Sequence, residues 1–284
     1  FGSGPGSMVP VPPVAGKTYA QAAAALTADG LVPVRKDQYD LDTKPGLAIG
    51  TSPEAGRRLA KDAKVTVLVS LGPQSHDLPK LTGKATADVK AQLTADGLNV
   101  ADPYLFYFTD VPNDIVIGIK VAPRDGGSAI DCDKACTVHE GDTATLSVSK
   151  GPVPGVAGLS VSDATTALTG AGLEVSSQQT QQYSSTVPKG NVIGIAARDG
   201  GGYWQPNDTV TLVVSQGPPL YRVPDVTGSS LQKAKKTLTD AGFQVSYSMF
   251  WDIVPGAQVQ DQTPGGGQME PKGTTINLVL TATG

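Results

Sequence analysis

The sequence contains very few of the residues from which catalytic centres, membrane spans and nucleic-acid interfaces are built. It has two histidines and two cysteines among 284 residues, and aromatic residues make up 5% of it. It has no run of about 18 apolar residues, so we expect no membrane span in this chain. The formal net charge of −4 argues against a nucleic-acid partner, because such partners select a basic surface.

The chain also has little material for one large hydrophobic core. Its length alone would suggest two domains of ordinary size. However, hydrophobic residues make up only 39% of it, which favours several small units. Its 34 glycines and 22 prolines are more than usual, but too few to indicate low-complexity disorder.

An internal repeat accounts for much of the glycine and proline. A proline-containing segment that ends in glycine occurs four times, and a second glycine follows the first by fourteen residues each time. Each copy closes with an alternating apolar run, such as Val65–Ser70. The copies begin 67, 75 and 70 residues apart, which predicts four domains of about 70 residues. The proline-containing segments, called lead segments below, are residues 11–16, 78–83, 153–158 and 223–228.

Each copy has the pattern of one helix followed by strands. Between its two glycines, apolar or small side chains recur with helical spacing, as at Leu231, Ala234 and Leu238. Ser160 and Ser230 stand where a helix N-cap is expected, and the second glycine stands where a left-handed residue ends a helix. The predicted fold class is α+β, with four tandem small modules, each one helix packed on a roughly three-stranded sheet, arranged as an elongated array.

The repeat also predicts domain boundaries. We define modules one to four by residues 8–73, 74–152, 153–218 and 219–284, with a cysteine-containing insertion in module two. Residues 1–7 match no part of the repeat and are interpreted as a scar of the expression vector. Prolines in the linkers favour extended, semi-rigid spacing between modules.

These motifs resemble the PASTA domain. The resemblance extends over residues 8–284, but modules two and three depart from it where a Gln-x-Pro bend is expected. They read Val121–Gly127 and Ala196–Gly202 at that place. Module four carries the clearest match, at Val223–Gly228, Ala241–Phe243, Pro255–Gly256, Gln262–Pro264 and Lys272–Gly273.

The resemblance implies an extracellular function. PASTA domains occur outside the membrane in bacterial Ser/Thr protein kinases and in some penicillin-binding proteins, where they are linked to recognition of peptidoglycan fragments and β-lactams. Four copies without a transpeptidase imply the kinase. The chain is then expected at the wall face of the plasma membrane of a Gram-positive bacterium, in a single-pass membrane protein.

The implied role is to sense muropeptides or to anchor the protein in the wall, and thereby to control kinase localisation or dimerisation. Self-association of the receptor is a further expected interaction, and no cofactor is expected. Two alternatives stay open: a structural spacer array that binds nothing, and the C-terminal accessory region of a penicillin-binding protein.

The sequence offers no convergent catalytic set. His76 lies in the predicted linker between modules one and two, and His139 lies in a turn before a closing strand. Neither suggests a Ser/His/Asp or Cys/His arrangement, and the Gly-rich loop and His-Arg-Asp loop of kinases do not occur. We therefore expect no catalytic residues in this region.

Both cysteines, Cys132 and Cys136, lie in the insertion of module two. Their spacing is not that of a zinc module. A disulfide closing this short loop fits an extracellular array, and it would staple the insertion without holding the fold. Free thiols, and a metal site that adds His139, are the alternatives.

Aromatic and basic side chains are the candidate ligand groups. Phe250 and Trp251 have no following module to pack against, which favours an outward-facing patch. Carboxylates of wall stem peptides would pair with arginine or lysine. Packing of the aromatics on a module, and ordinary solvated charges, are the alternative interpretations. The predicted ligand-binding residues are Phe250, Trp251, Arg222, Lys272, Gln262, Arg198 and Trp204.

Overall fold

The computed structural model describes residues 8–282 and groups the chain into two compact units, Phe1–Pro152 and Val153–Gly284. Each unit contains two of the modules defined above. The predicted scar at residues 1–7 lies outside the described residues. Among residues 8–282, no helix has the length and apolar character needed to cross a membrane.

Module one packs one helix on a three-stranded sheet. Its central strand runs parallel to the strand that follows the helix and antiparallel to the third. Ala22 and Leu26 of the helix meet Val65, Val67 and Val69 of the central strand in the core. In chain order the elements are β1 Met8–Pro10, α1 Tyr19–Ala28, β2 Val32–Gln38, β3 Ala48–Ser52, β4 Arg58–Ala60 and β5 Lys64–Ser70.

Module two repeats this plan and adds strands to it. The predicted linker around His76 is itself a strand, β6, because it pairs with a strand of the insertion. The insertion also adds a short strand to the edge of the main sheet. The elements are β6 Ser75–Leu78, α2 Thr86–Ala95, β7 Asn99–Val100, β8 Leu105–Tyr107, β9 Val116–Ala122, β10 Ile130–Asp131, β11 Cys136–His139 and β12 Thr143–Ser149.

Module three has the shortest strands. Its helix buries Ala164 and Leu168, and its closing strand lies between a parallel and an antiparallel neighbour. The elements are α3 Val161–Gly170, β13 Glu174–Val175, β14 Thr180–Gln182, β15 Val192–Ile195, β16 Thr209–Val210 and β17 Leu212–Ser215.

Module four differs from the others by a 3-10 turn behind its helix. Leu231, Ala234 and Leu238 of the helix are buried, as their spacing predicts. The closing strand again lies at the centre of the sheet. The elements are β18 Leu220–Arg222, α4 Leu231–Asp240, β19 Gln244–Ser246, the 3-10 helix Met249–Ile253, β20 Ala257–Thr263, β21 Met269–Pro271 and β22 Thr275–Ala282.

The predicted fold class of α+β modules, each with one helix on a small sheet, is confirmed. The glycines that end the four helices, Gly30, Gly97, Gly172 and Gly242, all have positive φ, between 73° and 93°. Glycine adopts this left-handed conformation without steric cost, which explains why the repeat places it there.

Candidate functional site

An open cleft of ≈ 460 Å³ lies in module four between the first turns of α4 and the loop that carries the 3-10 helix. The loop supplies one wall and the helix the other. Its lining is Ser230, Leu231, Gln232, Lys235 and residues 251–257.

Trp251 forms part of this wall and is only partly exposed, less than an outward-facing patch implies. The indole is half-buried and packs on the core of module four beside Tyr247. The core of so small a module is thin, so an aromatic ring from the loop extends it. Phe250, edge-on to Trp251 at 5.8 Å between ring centroids, is 63% exposed and does face solvent.

The exposed apolar surface is larger than the sequence indicated. Met249 is 82% exposed and Ile253 is 79% exposed, and both lie on the same 3-10 helix as Phe250. Three large apolar side chains thus stand beside the opening of the cleft. Exposed apolar clusters of this kind mark interaction surfaces more often than isolated apolar residues do.

A charged network that sequence reasoning missed lies at the same cleft. The Lys235 ammonium donates a hydrogen bond to the Tyr247 hydroxyl, which donates to Asp252 Oδ1 at 2.9 Å. The Lys235 Nζ also lies 3.9 Å from Asp252 Oδ1. The hydrogen bond to Tyr247 raises the pKa of Lys235, so the ammonium stays charged at neutral pH. The sequence did hold a signal for Lys235, because this residue directly follows Ala234, which is buried on α4.

Arg222 and Lys272, two predicted ligand groups, do not line this cleft. Arg222 lies in β18, which pairs with β21, and Lys272 directly follows β21. The Lys272 Nζ sits 4.6 Å from the centroid of the Tyr221 ring, a cation–π contact. These side chains belong to a separate small sheet of module four.

The side chain of Gln262 hydrogen-bonds to backbone atoms. It is only 4% exposed, and its carboxamide oxygen accepts a hydrogen bond from Val226 N at 2.7 Å. Its nitrogen donates to the carbonyl oxygens of Pro224 and Pro264, at 3.1 Å and 3.2 Å. Gln262 therefore ties the bend after β20 to the lead segment, and its polar atoms are not available to a ligand.

Arg198 and Trp204 lie together in module three. The guanidinium carbon is 5.6 Å from the centroid of the indole ring, and Arg198 Nη2 is 3.2 Å from Asp208 Oδ2. A second Arg198 nitrogen donates to the Gly201 carbonyl oxygen. An open cavity of ≈ 320 Å³ lies beside them, lined also by three threonines, Thr180, Thr209 and Thr211.

The aromatic cluster of module two mainly covers its core. Phe108 is buried, and Tyr104 packs against the core cluster. Phe106 is partly exposed, with the Lys150 ammonium 5.9 Å from the centroid of its ring. This cluster mainly follows the packing alternative.

The structure joins Cys132 and Cys136 in a disulfide. The disulfide therefore excludes the free-thiol and metal-site alternatives for these two cysteines. Cys132 is buried in the core cluster of module two, and Cys136 pairs with Leu78 across β11 and β6. The bridge thus closes part of the core, contrary to the expectation that it staples only the insertion. The physical reason is that the insertion folds back over the lead segment.

The histidines contact carboxylates. His76 Nδ1 is 3.9 Å from Asp96 Oδ1, and His76 Nε2 is 3.8 Å from Glu140 Oε1. His139 Nδ1 lies 3.9 Å from Asp142 Oδ2. These contacts join strand and turn segments within module two.

A family model, the PASTA domain, matches residues 9–71, 151–216 and 221–281. Residues 72–150, between the first two matches, carry the cysteine insertion and the altered bend. The matched segments together include both the cleft of module four and the Arg198–Trp204 pair.

Curated proteins similar to the chain include several that are named serine/threonine-protein kinases. It is 27% identical to the serine/threonine-protein kinase PknB of Mycolicibacterium smegmatis over 96% of this chain and 43% of that protein. It is 27% identical to a probable serine/threonine-protein kinase of Corynebacterium efficiens over 74% of this chain and 30% of that protein. The chain thus spans less than half the length of these relatives.

A solved structure of the extracellular region of the Ser/Thr kinase PrkC from Staphylococcus aureus also matches. It is 20% identical with a TM-score of 0.39, over 78% of this chain and 77% of that one.

Proposed function

The chain belongs to the PASTA domain family, and on that premise we propose that it is the extracellular, wall-facing region of a bacterial single-pass membrane Ser/Thr kinase. In this proposal the cleft of module four binds peptidoglycan fragments. The kinase names of the curated relatives support the first part. The general association of PASTA domains with peptidoglycan and β-lactams supports the second.

The observation that carries the binding proposal is the pairing of an indole wall with an ammonium group in one open cleft. A muropeptide combines sugar rings with carboxylates on its stem peptide. Aromatic rings bind apolar sugar faces by stacking, and an ammonium binds a carboxylate through charge-assisted hydrogen bonds. Trp251 and Lys235 both line the cleft, so one ligand can reach both.

Asp252 lies near Lys235 but leaves its ammonium accessible to a ligand carboxylate. Its carboxylate is held by the Tyr247 hydroxyl and lies 3.9 Å from the Lys235 nitrogen, beyond ideal hydrogen-bond distance. A ligand carboxylate can therefore approach Lys235 without breaking a short ion pair. The exposed Phe250 and Ile253 then cover the apolar part of the ligand.

Binding would act on the kinase through local concentration. Receptors held on the same wall fragments are confined to a small volume, which raises the effective concentration of their intracellular domains. Localisation or dimerisation of the kinase follows from this confinement without a change of fold in the modules.

A heteronuclear NMR titration with a defined muropeptide tests the site. We expect saturable shifts confined to module four, at Trp251, Phe250 and Lys235. Lys235→Gln removes the ammonium and should weaken binding about tenfold, since hydrogen bonds to charged groups are among the stronger ones. Lys236→Gln is the matched control, because Lys236 lies on the same helix, pairs with Asp240 and does not line the cleft.

Each alternative function predicts a different experimental result. A chain that shows no shifts at millimolar muropeptide or β-lactam is a structural spacer. The residues that precede this chain in the full-length gene test the penicillin-binding alternative, because a Ser-x-x-Lys transpeptidase domain there would replace the kinase and its membrane helix.

A further inference from the structure

Module one has a position equivalent to that of Gln262, and a shorter side chain stands there. Thr51 pairs with Val67 of β5 in the register in which Gln262 pairs with Leu278 of β22. The lead segments are held alike: Gly16 N donates to Ala48 O and Gly228 N donates to Val259 O, both at 2.8 Å. Thr51 therefore occupies the place of Gln262 in an equivalent backbone frame.

The frame in module four presents one donor and two acceptors to the carboxamide of Gln262. The donor is Val226 N–H, and the acceptors are the carbonyl oxygens of Pro224 and Pro264. A primary carboxamide has the complementary set, one carbonyl oxygen and two N–H groups. Each hydrogen-bonding group of the carboxamide thus has one backbone partner in this frame.

The same backbone groups in module one have no carboxamide. Among residues 8–282, no acceptor meets Val14 N–H, and no donor meets the carbonyl oxygens of Pro12 and Pro53. Thr51 is too short to reach them, and although it is only 8% exposed, its hydroxyl oxygen also has no hydrogen-bond partner. Val14 is also buried, whereas Pro12 is half-buried and Pro53 is exposed. Buried polar groups are rarely left unsatisfied, so Val14 N–H and the Thr51 hydroxyl call for a partner.

A cavity open to solvent lies at this position. It has a volume of ≈ 180 Å³ and is lined by Val14, Thr51 and Glu54, with Pro13, Ala15 and Ala55 supplying apolar walls. Apolar walls around a polar end suit a short aliphatic chain that ends in a polar group. Modules two and three carry isoleucine at the equivalent position, Ile119 and Ile195, so a short polar side chain at this place is particular to module one.

From these observations we infer that module one binds a primary carboxamide carried on a short aliphatic chain, such as a glutamine side chain. The ligand oxygen accepts from Val14 N–H, and its two N–H groups donate to Pro12 O and Pro53 O. A carboxylate is rejected, because it brings a negative oxygen against two carbonyl oxygens and beside Glu54. This inference is independent of peptidoglycan binding at module four.

NMR titration of the whole 284-residue chain with propionamide tests the inference. We expect a saturable shift of the Val14 amide. Sodium propionate, which has the same shape and no N–H, and N,N-dimethylpropionamide, which has the oxygen alone, should leave that amide unmoved. A blocked Ala-Gln-Ala peptide, compared with Ala-Glu-Ala, shows whether the group is also accepted on a peptide; binding of free propionamide alone assigns the site to small amides.

Two variants separate a binding site from a water-filled cavity, since a polar space of this size can hold ordered water. Thr51→Gln supplies the carboxamide from within and should abolish the response to propionamide. Thr51→Val keeps the volume of the side chain and should retain it. A Val14 amide that ignores propionamide, or that responds equally to propionate, overturns the inference and leaves water as the occupant. If Thr51→Gln does not fold, the comparison of probes on the unaltered chain still decides.

Discussion

Gln262 shows at the residue scale how a motif residue can act on the backbone rather than on a ligand. Its side chain satisfies groups 36 residues away in the chain, at Val226, and the burial of those groups makes the bond important. The sequence identified the residue through its resemblance to a family motif. It could not tell a ligand group from a structural one, because both are polar residues in a bend.

The first prediction concerns this bond. Gln262→Ala leaves Val226 N–H buried without an acceptor, and an unsatisfied buried group costs about 1–3 kcal/mol. Native-state hydrogen exchange of module four should show a loss of protection in that range. Gln260→Ala is the control, because Gln260 is exposed on the same strand and should cost little. Equal effects of both variants would contradict the structural role of Gln262.

The second prediction concerns the disulfide. Reduction of Cys132–Cys136 should destabilise module two by about 2 kcal/mol, the chain-entropy value for a five-residue loop. Residue-resolved hydrogen exchange with and without a reductant measures it. Module three has no cysteine and serves as the internal control. A bridge that only staples the insertion would leave the exchange of Leu146, in the core of module two, unchanged.

At the element scale, the equivalent N-cap positions of the repeat carry different residues and differ in their hydrogen bonds. Ser160 caps α3 by accepting a hydrogen bond from Asp163 N at 3.1 Å, whereas Ser230 begins α4 without a side-chain cap bond. Ala85 stands at the same position of α2 and has no oxygen to offer. The sequence predicted both serines as N-caps, and the structure confirms their position but gives the bond to one of them.

The third prediction compares these two serines. Ser160→Ala should cost about 1 kcal/mol of stability in module three, the usual value of an N-cap. Ser230→Ala should change module four by a few tenths at most, because no cap bond is lost. Hydrogen exchange of the helix amides reports each module separately. A loss of stability in Ser230→Ala as large as in Ser160→Ala would show that α4 is capped in solution.

The insertion in module two is another case at this scale. Its Asp133 carboxylate accepts a hydrogen bond from Ile119 N at 2.7 Å, and in module four Asp261 accepts from the equivalent Gln262 N at 2.8 Å. A segment that looked like an addition to the repeat thus supplies an acceptor for a strand N–H that module four satisfies with the preceding residue. No local pattern predicts this, because Asp133 and Ile119 belong to different strands and turns.

At the scale of the whole molecule, the contact between modules one and two shows that a long side chain can join neighbouring modules in addition to the linker. Within the first compact unit, Arg124 of module two reaches module one. Its two terminal nitrogens donate to Leu41 O at 2.7 Å and to Asp42 Oδ1 at 2.8 Å. The hydrogen bond to Asp42 raises the pKa of Arg124 further, and the guanidinium is charged at every relevant pH.

The fourth prediction follows from this contact. Arg124→Gln should let modules one and two move independently, because the clamp on the loop of module one is lost. Residual dipolar couplings of modules one and two should then require two alignment tensors, where the same two modules of the unaltered chain require one. Asp42→Asn should act in the same direction, and Lys120→Gln, an exposed site in module two, should have no effect. A single tensor in Arg124→Gln would show that the linker alone orients the modules.

The sequence by itself determined the repeat, the α+β plan of each module and the place of each helix. These are local properties, since helical spacing, caps and left-handed glycines act over a few residues. Only the tertiary structure decided which polar side chains face a cleft and which face the backbone. It left Trp251 half-buried between the core and the cleft, placed Lys235 at the cleft and left Thr51 without a partner. Those outcomes depend on contacts between residues distant in the chain, which no periodicity encodes.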